Sequence, residues 1–203
     1  MRYKRQMPKV VDPQARRQEL AEAVWRIIRR DGLASASVRN VAREAGLSMG
    51  SLRHYFATQS ELLAFSLRLV SDRMAGRMTE LDPATDPDQF RGQLVDMVLP
   101  LDEERRAEVE IWLVFLGAAL TDPTLRQLSD QTHDRAHQLV RDGLGAMAET
   151  GIVHPDRDLD YEAARLHALL DGLVLLGTAR SGLMPPNRIR TVLLRHLEEL
   201  ALP

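Results

Sequence analysis

The 203-residue chain has no cysteine. That removes disulfides, thiolate metal ligands and cysteine nucleophiles together, and it fits a reducing compartment. Aromatic residues are scarce, at 4%, runs of β-branched residues are few, and no Asn-Gly or Asp-Gly pair sits between alternating strands. Long hydrophobic runs are missing as well. The longest, near residues 111–120 and 173–177, fall well short of the ~20 residues that a membrane span needs. The basic start Met1-Arg-Tyr-Lys-Arg5 is not followed by an apolar signal-peptide core, so the expected location is the cytoplasm, with no membrane partner. What is abundant is Ala, Leu, Arg and Glu, all helix formers. The composition predicts an all-α chain.

A net charge of −2 conceals an asymmetry. Residues 1–56 hold twelve Lys and Arg against five acids, a net +7. The remainder holds fifteen basic and twenty-four acidic residues, a net −9. A basic N-terminal section on an acidic body suggests a polyanion reader joined to a part with another task. A chance asymmetry is the alternative.

Along the chain, residues 1–11 read as a flexible basic arm. Asp12-Pro13 supplies a helix cap followed by proline at the first helical position. Leu20, Ala23, Val24, Ile27 and Ile28 recur at helical spacing up to Asp31-Gly32. Ser37 can cap a helix over 38–45 that Gly46 closes, and Ser48 another over 49–56. Thr58-x-x-Glu61 reads as a capping box that opens a helix to about residue 81. Breakers at Asp82-Pro83 and Asp86-Pro87, at Pro100, Asp122-Pro123, Thr150-Gly151 and Pro185-Pro186 divide the rest. The count is about nine helices, with an arm over 1–11, a first domain over 12–57 and a second over 58–203.

A helix-turn-helix needs inward apolar residues on two short helices, a small residue where they cross, and a glycine at the turn. Val41, Ala45, Leu47, Leu52 and Tyr55 form the inward set, Ala42 is the small residue and Gly46 the turn. On the second helix Leu52, Tyr55 and Phe56 share one side, and Gly50, Arg53 and His54 another, with Ser48, Met49 and Ser51 along its N-terminal edge. Glycine at 50 permits close approach to DNA. Arg53 can fork onto a guanine edge or a phosphate, and His54 can donate to either. The hydroxyls and backbone N–H groups near Ser37 and Ser48 suit phosphates. The plainer reading is an ordinary corner between two helices.

The stretch from Val38-Arg-Asn-Val-Ala-Arg-Glu-Ala-Gly-Leu-Ser-Met-Gly-Ser-Leu-Arg-His-Tyr to Phe56, with Gln59-Ser-Glu-Leu-Leu63 after it, resembles the N-terminal domain of the TetR family of regulators. The resemblance covers about residues 16–63. It implies an all-helical homodimer in which three N-terminal helices bind DNA and the remaining helices hold a ligand pocket and the dimer interface. The DNA-contacting set that follows is Arg17, Ser37, Val38, Arg39, Ser48, Met49, Gly50, Ser51, Arg53, His54, Tyr55 and Gln59. Two positions depart from the family pattern. Arg53 stands where a tyrosine is usual, and Gln59 stands where a phosphate-binding lysine is usual, which weakens that contact. The segment from Leu99 to Phe115, with Asp122-Pro123-x-Leu125, is similar to the branch that includes choline-responsive repressors.

In the body, Trp112, Phe115 and Leu116 can face Met147 and Leu170 around a pocket, although such stripes are also ordinary core. His133 and His137 are spaced i, i+4, as are His167 and Asp171. They are candidate polar anchors for an organic ligand, or surface histidines. A metal site is not expected, and no cofactor is called for. The helix bearing Leu166, Leu173, Leu176 and Gly177 is apolar on most sides. The last helix carries Ile189, Val192, Leu193, His196, Leu197 and Leu200 on one stripe. The resemblance implies that these two helices form the dimer interface; internal core is the alternative.

No catalytic constellation is visible, so no enzyme is expected. The leading reading is a ligand-responsive repressor that binds a palindromic double-stranded DNA operator as a homodimer, with an unidentified small-molecule effector. An activator of the same fold is not separable from it in sequence. A helical small-molecule-binding or enzymatic domain with an incidental basic end is the reading from another class. The arm, with Arg2, Lys4, Arg5 and Lys9, is either a minor-groove contact or a solvated tail.

Overall fold

The computed structural model describes residues 12–82, 86–100 and 102–202. The basic arm read over 1–11 lies outside them. The described residues contain nine α-helices and one short 3₁₀ turn, with no strand. In order these are α1 (Pro13–Asp31), the turn Leu33–Ser35, α2 (Val38–Glu44), α3 (Met49–Arg53), α4 (Gln59–Met78), α5 (Pro87–Val98), α6 (Glu103–Ala119), α7 (Pro123–Glu149), α8 (Leu159–Ala179) and α9 (Pro186–Glu199). Among the described residues no helix is long and apolar enough to cross a membrane.

Helix starts follow directly from the local sequence. Asp12, Asp86, Asp102, Asp122 and Asp158 each accept a hydrogen bond from a backbone N–H one turn in, and prolines follow three of them. Each such cap contributes about 1 kcal/mol. Ser37 and Ser48 cap α2 and α3 in the same way. At α4, Thr58 Oγ1 accepts from the Glu61 amide, and the Glu61 carboxylate reaches back to the amide of Ala57, one residue before the box that the sequence suggested.

The chain divides into two compact units, Met1–Ser66 and Leu67–Pro203. The division falls inside α4; the 57–58 junction read from the sequence is where that helix begins. In the N-terminal unit α1 buries Leu20, Val24, Trp25, Ile27 and Ile28 in a core with Val41, Ala42, Leu52, Phe56 and Leu62. Trp25 Nε1 donates to the Ser66 carbonyl at 3.0 Å, which ties α1 to α4.

The C-terminal unit centres on Phe90, Leu94 and Val95 of α5, Leu144 and Met147 of α7, Ala163, Leu166 and Leu173 of α8, and Ile189, Leu193 and Leu197 of α9, with Leu200 after it. This core includes most of the stripe expected at the dimer interface. Leu166, Leu173, Ile189, Leu193, His196, Leu197 and Leu200 are all buried within one chain, because the apolar face of α9 is covered by α5 and α8 of the same unit. Gly177 and Val192 are partly covered, and Leu176 alone of the set is exposed.

Helices α8 and α9 approach closely at Gly177, where an added Cβ would lie 2.5 Å from Ile189 Cδ1. Gly177→Ala is therefore expected to lower stability by about 1–3 kcal/mol, through overpacking of a filled core. Combining it with Ile189→Val, which removes the clashing methyl, should recover part of the loss. Urea denaturation at fixed protein concentration reads both. A Gly177→Ala variant as stable as the parent would show that the contact is looser than described.

Candidate nucleic-acid interface and ligand cavity

Helix α3 has only five residues, too few to persist without support. Its support comes from one side, where Leu52 and Phe56, a turn apart, are fully buried. From the other end, Ser48 Oγ accepts from the Ser51 amide at 3.0 Å and meets Ser51 Oγ at 2.9 Å. The turn between α2 and α3 closes at Gly46, whose φ of +67° is unfavourable for any residue with a Cβ. There the Leu47 amide donates to the Ala42 carbonyl at 2.8 Å. With its apolar side committed, α3 presents Met49, Gly50, Arg53 and His54 to solvent, while Ser51 and Tyr55 are half-buried. The sequence placed Tyr55 both on the inward side and among the DNA contacts, and its partial exposure fits a residue at the edge of the face.

Ion pairing sorts the basic residues of this unit. Arg26 and Arg30 both bond Glu44, at 3.1 Å each, and link α1 to α2. Hydrogen bonds from Arg26, then from Arg30, hold the Glu44 carboxyl below its ordinary range, and the bond to Glu44 raises Arg30. Arg16 pairs with Glu19 at 2.6 Å. Sequence reasoning counted all of these as available charge; the i, i+3 spacing of Arg16 and Glu19 and the i, i+4 spacing of Arg26 and Arg30 on α1 were the missed signals. Arg39 and Arg53 are exposed and form no ion pair among the described residues.

Two expected contacts have structural occupations of their own. The Arg17 guanidinium lies over the rings of Phe56 and Phe65, 4.8 and 5.0 Å from their centroids, and its Nε is buried with no partner. Gln59 Nε2 donates to the Ala36 carbonyl at 3.1 Å, which fastens the start of α4 to the backbone just before α2. The Ser37 hydroxyl caps α2, and Val38 is half-buried.

The C-terminal unit contains a cavity of about 180 Å³ between α4, α5, α6, α7, α8 and α9. Of the residues expected there, Trp112, His133, Met147, His167, Leu170 and Asp171 line it. Phe115, Leu116 and His137 do not. Phe115 and Leu116 lie a turn beyond Trp112, with Phe115 buried in the core. His137 lies a turn beyond His133 and packs its ring 5.6 Å from that of His167. Leu166, Leu193 and Leu197, expected at the dimer interface, also line the cavity.

The wall also carries a buried ion pair that the sequence reading missed. Glu108, 3% exposed, receives Arg77 through both terminal nitrogens, at 2.8 and 3.3 Å. Its neighbour Glu104 pairs with Arg73 at 2.8 Å. The signal was two i, i+4 ladders of opposite sign, Arg73 with Arg77 and Glu104 with Glu108. His133 Nδ1 lies 3.0 Å from the Ser129 carbonyl, which can only accept, so Nδ1 is the donor of that bond. His167 Nε2 is 3.8 Å from Asp171 Oδ1. Burial lowers the pKa of His167, and His133 and His137 lower it further, opposed only by Asp171. Burial raises the pKa of Asp171, against the pull of His167 and His133. Among the described residues no three His, Cys, Asp or Glu side chains group as a metal site.

A capped, glycine-turned helix pair whose second helix turns Arg53 and His54 outward defines a helix-turn-helix DNA-binding protein, and the second helical unit holds a cavity of its own. Comparison with known proteins supports that class. Residues 20–64 match the model described as bacterial regulatory proteins of the tetR family. Residues 92–202 match the model described as the C-terminal part of BetI-type transcriptional repressors. The chain is 37% identical over 196 residues to the HTH-type transcriptional regulator PksA of Bacillus subtilis, covering 96% of this chain and 94% of that protein. A crystal structure of a transcriptional regulator from Rhodococcus sp. Rha1 superposes with a TM-score of 0.74 at 33% identity, covering 91% and 95% of the two chains. The multidrug binding protein EbrR, solved in complex with imidazole, superposes with a TM-score of 0.61 at 29% identity, covering 97% and 96%. The chain belongs to the TetR family of transcriptional regulators and has a BetI-type C-terminal part.

Because Arg53 and His54 are exposed and unburdened by packing, replacing both with alanine should leave the far-UV spectrum and the unfolding midpoint unchanged. Operator affinity should fall by about tenfold to a few hundredfold, the range for losing a base-edge arginine and a neighbouring donor. Fluorescence anisotropy on a labelled operator makes the comparison, and unchanged affinity would remove α3's outer face from the contact.

Proposed function

We propose that this regulator is a ligand-responsive repressor that works in the cytoplasm and binds a palindromic operator as a homodimer. The observation that carries the reading is the pairing of an outward, uncommitted α3 face in one unit with an apolar cavity in the other. In this reading Met49, Gly50, Ser51, Arg53 and His54 face base edges. Ser37, Val38, Arg39, Ser48 and Tyr55 position the phosphates around them, Arg17 and Gln59 contribute what their internal contacts leave over, and the small molecule enters the cavity. The description of the matching C-terminal model as a repressor, and imidazole bound in EbrR, support repression and a small-molecule effector.

For the homodimer, the supporting surface is the outer face of α8. Tyr161, Leu175 and Leu176 are exposed there at 61%, 48% and 37%, with Ala164 and Ala168 between them and Ala179 beyond. A two-fold axis through this face covers it with its own copy. An effector shifts the dimer away from DNA only to the extent that it prefers the non-binding arrangement.

Sedimentation of the protein and salt titration of the operator complex test this together. The expected result is a dimer that binds the full palindrome, with log K falling linearly in log salt by about 0.9 per phosphate neutralised. A Leu175→Arg/Leu176→Arg variant should sediment as a folded monomer with much weaker operator binding. A monomeric parent protein, or equal affinity for a single half-site, would overturn the dimeric reading.

A further inference from the structure

We propose that Arg17 serves DNA binding from inside the N-terminal unit, as the positioning residue that fixes the rotation of α3. This rests on the reading of α3 as the helix that meets base edges, and it assigns that helix's orientation to a side chain on α1.

Arg17 stands apart from Arg16, Arg26 and Arg30, which each hold a carboxylate. Among the described residues no acid pairs with it. Its guanidinium carbon lies 4.8 Å from the Phe56 ring centre and 5.0 Å from that of Phe65, and the two rings stand 5.3 Å apart at 53°. The three centres form a nearly equilateral triangle, with one planar cation over both π faces. The contact carries a cost, because the Nε donor is buried with no partner. An apolar side chain would fill the same place without that cost, so packing alone does not account for an arginine here.

What the contact grips is the end of α3. Phe56 lies just past that helix, and its amide donates to the Leu52 carbonyl at 3.1 Å, beside the Tyr55 amide at 2.9 Å on the same acceptor. These bonds close the C-terminal turn, so holding the Phe56 ring holds the turn. Phe65 sits on α4, and only Ala57 and Thr58 separate Phe56 from the start of that helix. Arg17 therefore joins α1, the exit of α3 and the first half of α4 at one point. Leu52 and the Ser48 cap secure the start of α3, and the ring of Phe56 secures its end. The exposed Arg53 is three residues before Phe56, so it turns with that ring. On a helix about 10–12 Å across, a rotation of about 20° swings a side-chain tip by about 2 Å, enough to break a bidentate bond to a base edge.

Two measurements on the full-length protein test this. In the free protein, amide exchange at Leu52 and Phe56 should be about tenfold faster in Arg17→Gln, while the α1 amides of Val24 and Ile28 keep their rates. On DNA, the probe is the inverted repeat that the parent protein selects from randomised sequence, with a scrambled duplex beside it. Arg17→Gln should bind the repeat about fivefold more weakly, with the salt slope and the affinity for the scrambled duplex unchanged. Phe65→Leu removes a ring and no charge. It should cause a similar loss, and the double variant should lose little more than either change alone. A loss shared equally by both duplexes, with the salt slope reduced by about one, would make Arg17 a phosphate contact and overturn the proposal. Lower stability with unchanged α3 exchange and unchanged affinity would make its role structural only, and would overturn it too. So would losses that add in the double variant. The exchange measurement needs no DNA. A parent protein that selects no sequence contradicts the base-reading function, while faster α3 exchange in Arg17→Gln still supports the positioning role.

Discussion

The N-terminal unit depends on one constraint: a five-residue helix must be held from outside. Helix α3 cannot offset the entropy of its own nucleation, so Leu52 and Phe56 anchor it in a core built by α1, and Ser48 closes its first turn. Burying one side fixes the helix rotationally, and this fixed rotation is what makes Gly50, Arg53 and His54 a face rather than a set of loop residues. Gly46 sets the angle at which α2 hands the chain to α3. Around this core, Glu44 pins α2 to α1 through Arg26 and Arg30, and Gln59 ties α4 to the backbone at Ala36. The basic charge of the unit is thus partly consumed as scaffold. What remains outward includes Arg39, Arg43 and Arg53, with His54 beside them.

The C-terminal unit solves a different problem. Its helices leave a chamber at their centre, and the polar groups on its wall fall into two kinds. Glu108 and Arg77 satisfy each other at close range in a buried pair, a contact that orients α4 against α6. Asp171 and the histidines near it lack such close pairing; burial raises the pKa of Asp171 and lowers that of His167, which His133 and His137 lower further.

Much of this was legible in the sequence, for local reasons. Aspartate caps with following prolines mark helix starts by chemistry within a single turn, and α1, α5 and α7 begin where those residues stand. The helix-turn-helix was legible because its apolar spacing, small crossing residue and glycine all fall within eighteen residues. The long-range pairings were not. The stripe Ile189, Leu193 and Leu197 reads equally as core or interface, since periodicity gives a face but not what covers it, and α5 and α8 turned out to cover it. Phe115 and His137 carry the right chemistry for a cavity, but Phe115 sits one turn past its last lining residue on α6, and His137 lies off the stripe of α7 that lines it from Thr132 to Met147. Arg17 reads as a free cation in sequence, yet its place over Phe56 and Phe65 depends on residues about forty and fifty positions away.

The central claim is that α3's outer face reads bases while the rest of the unit holds it in place. Selection of bound sequences from randomised DNA, run with the parent protein and with Arg53→Ala, tests it most directly. The expected outcome is an inverted repeat, with half-sites about one helical turn or a multiple of it apart, in which Arg53→Ala loses preference at one symmetric pair of positions and keeps the others. A consensus without two-fold symmetry, or one that Arg53→Ala leaves unchanged, would contradict it.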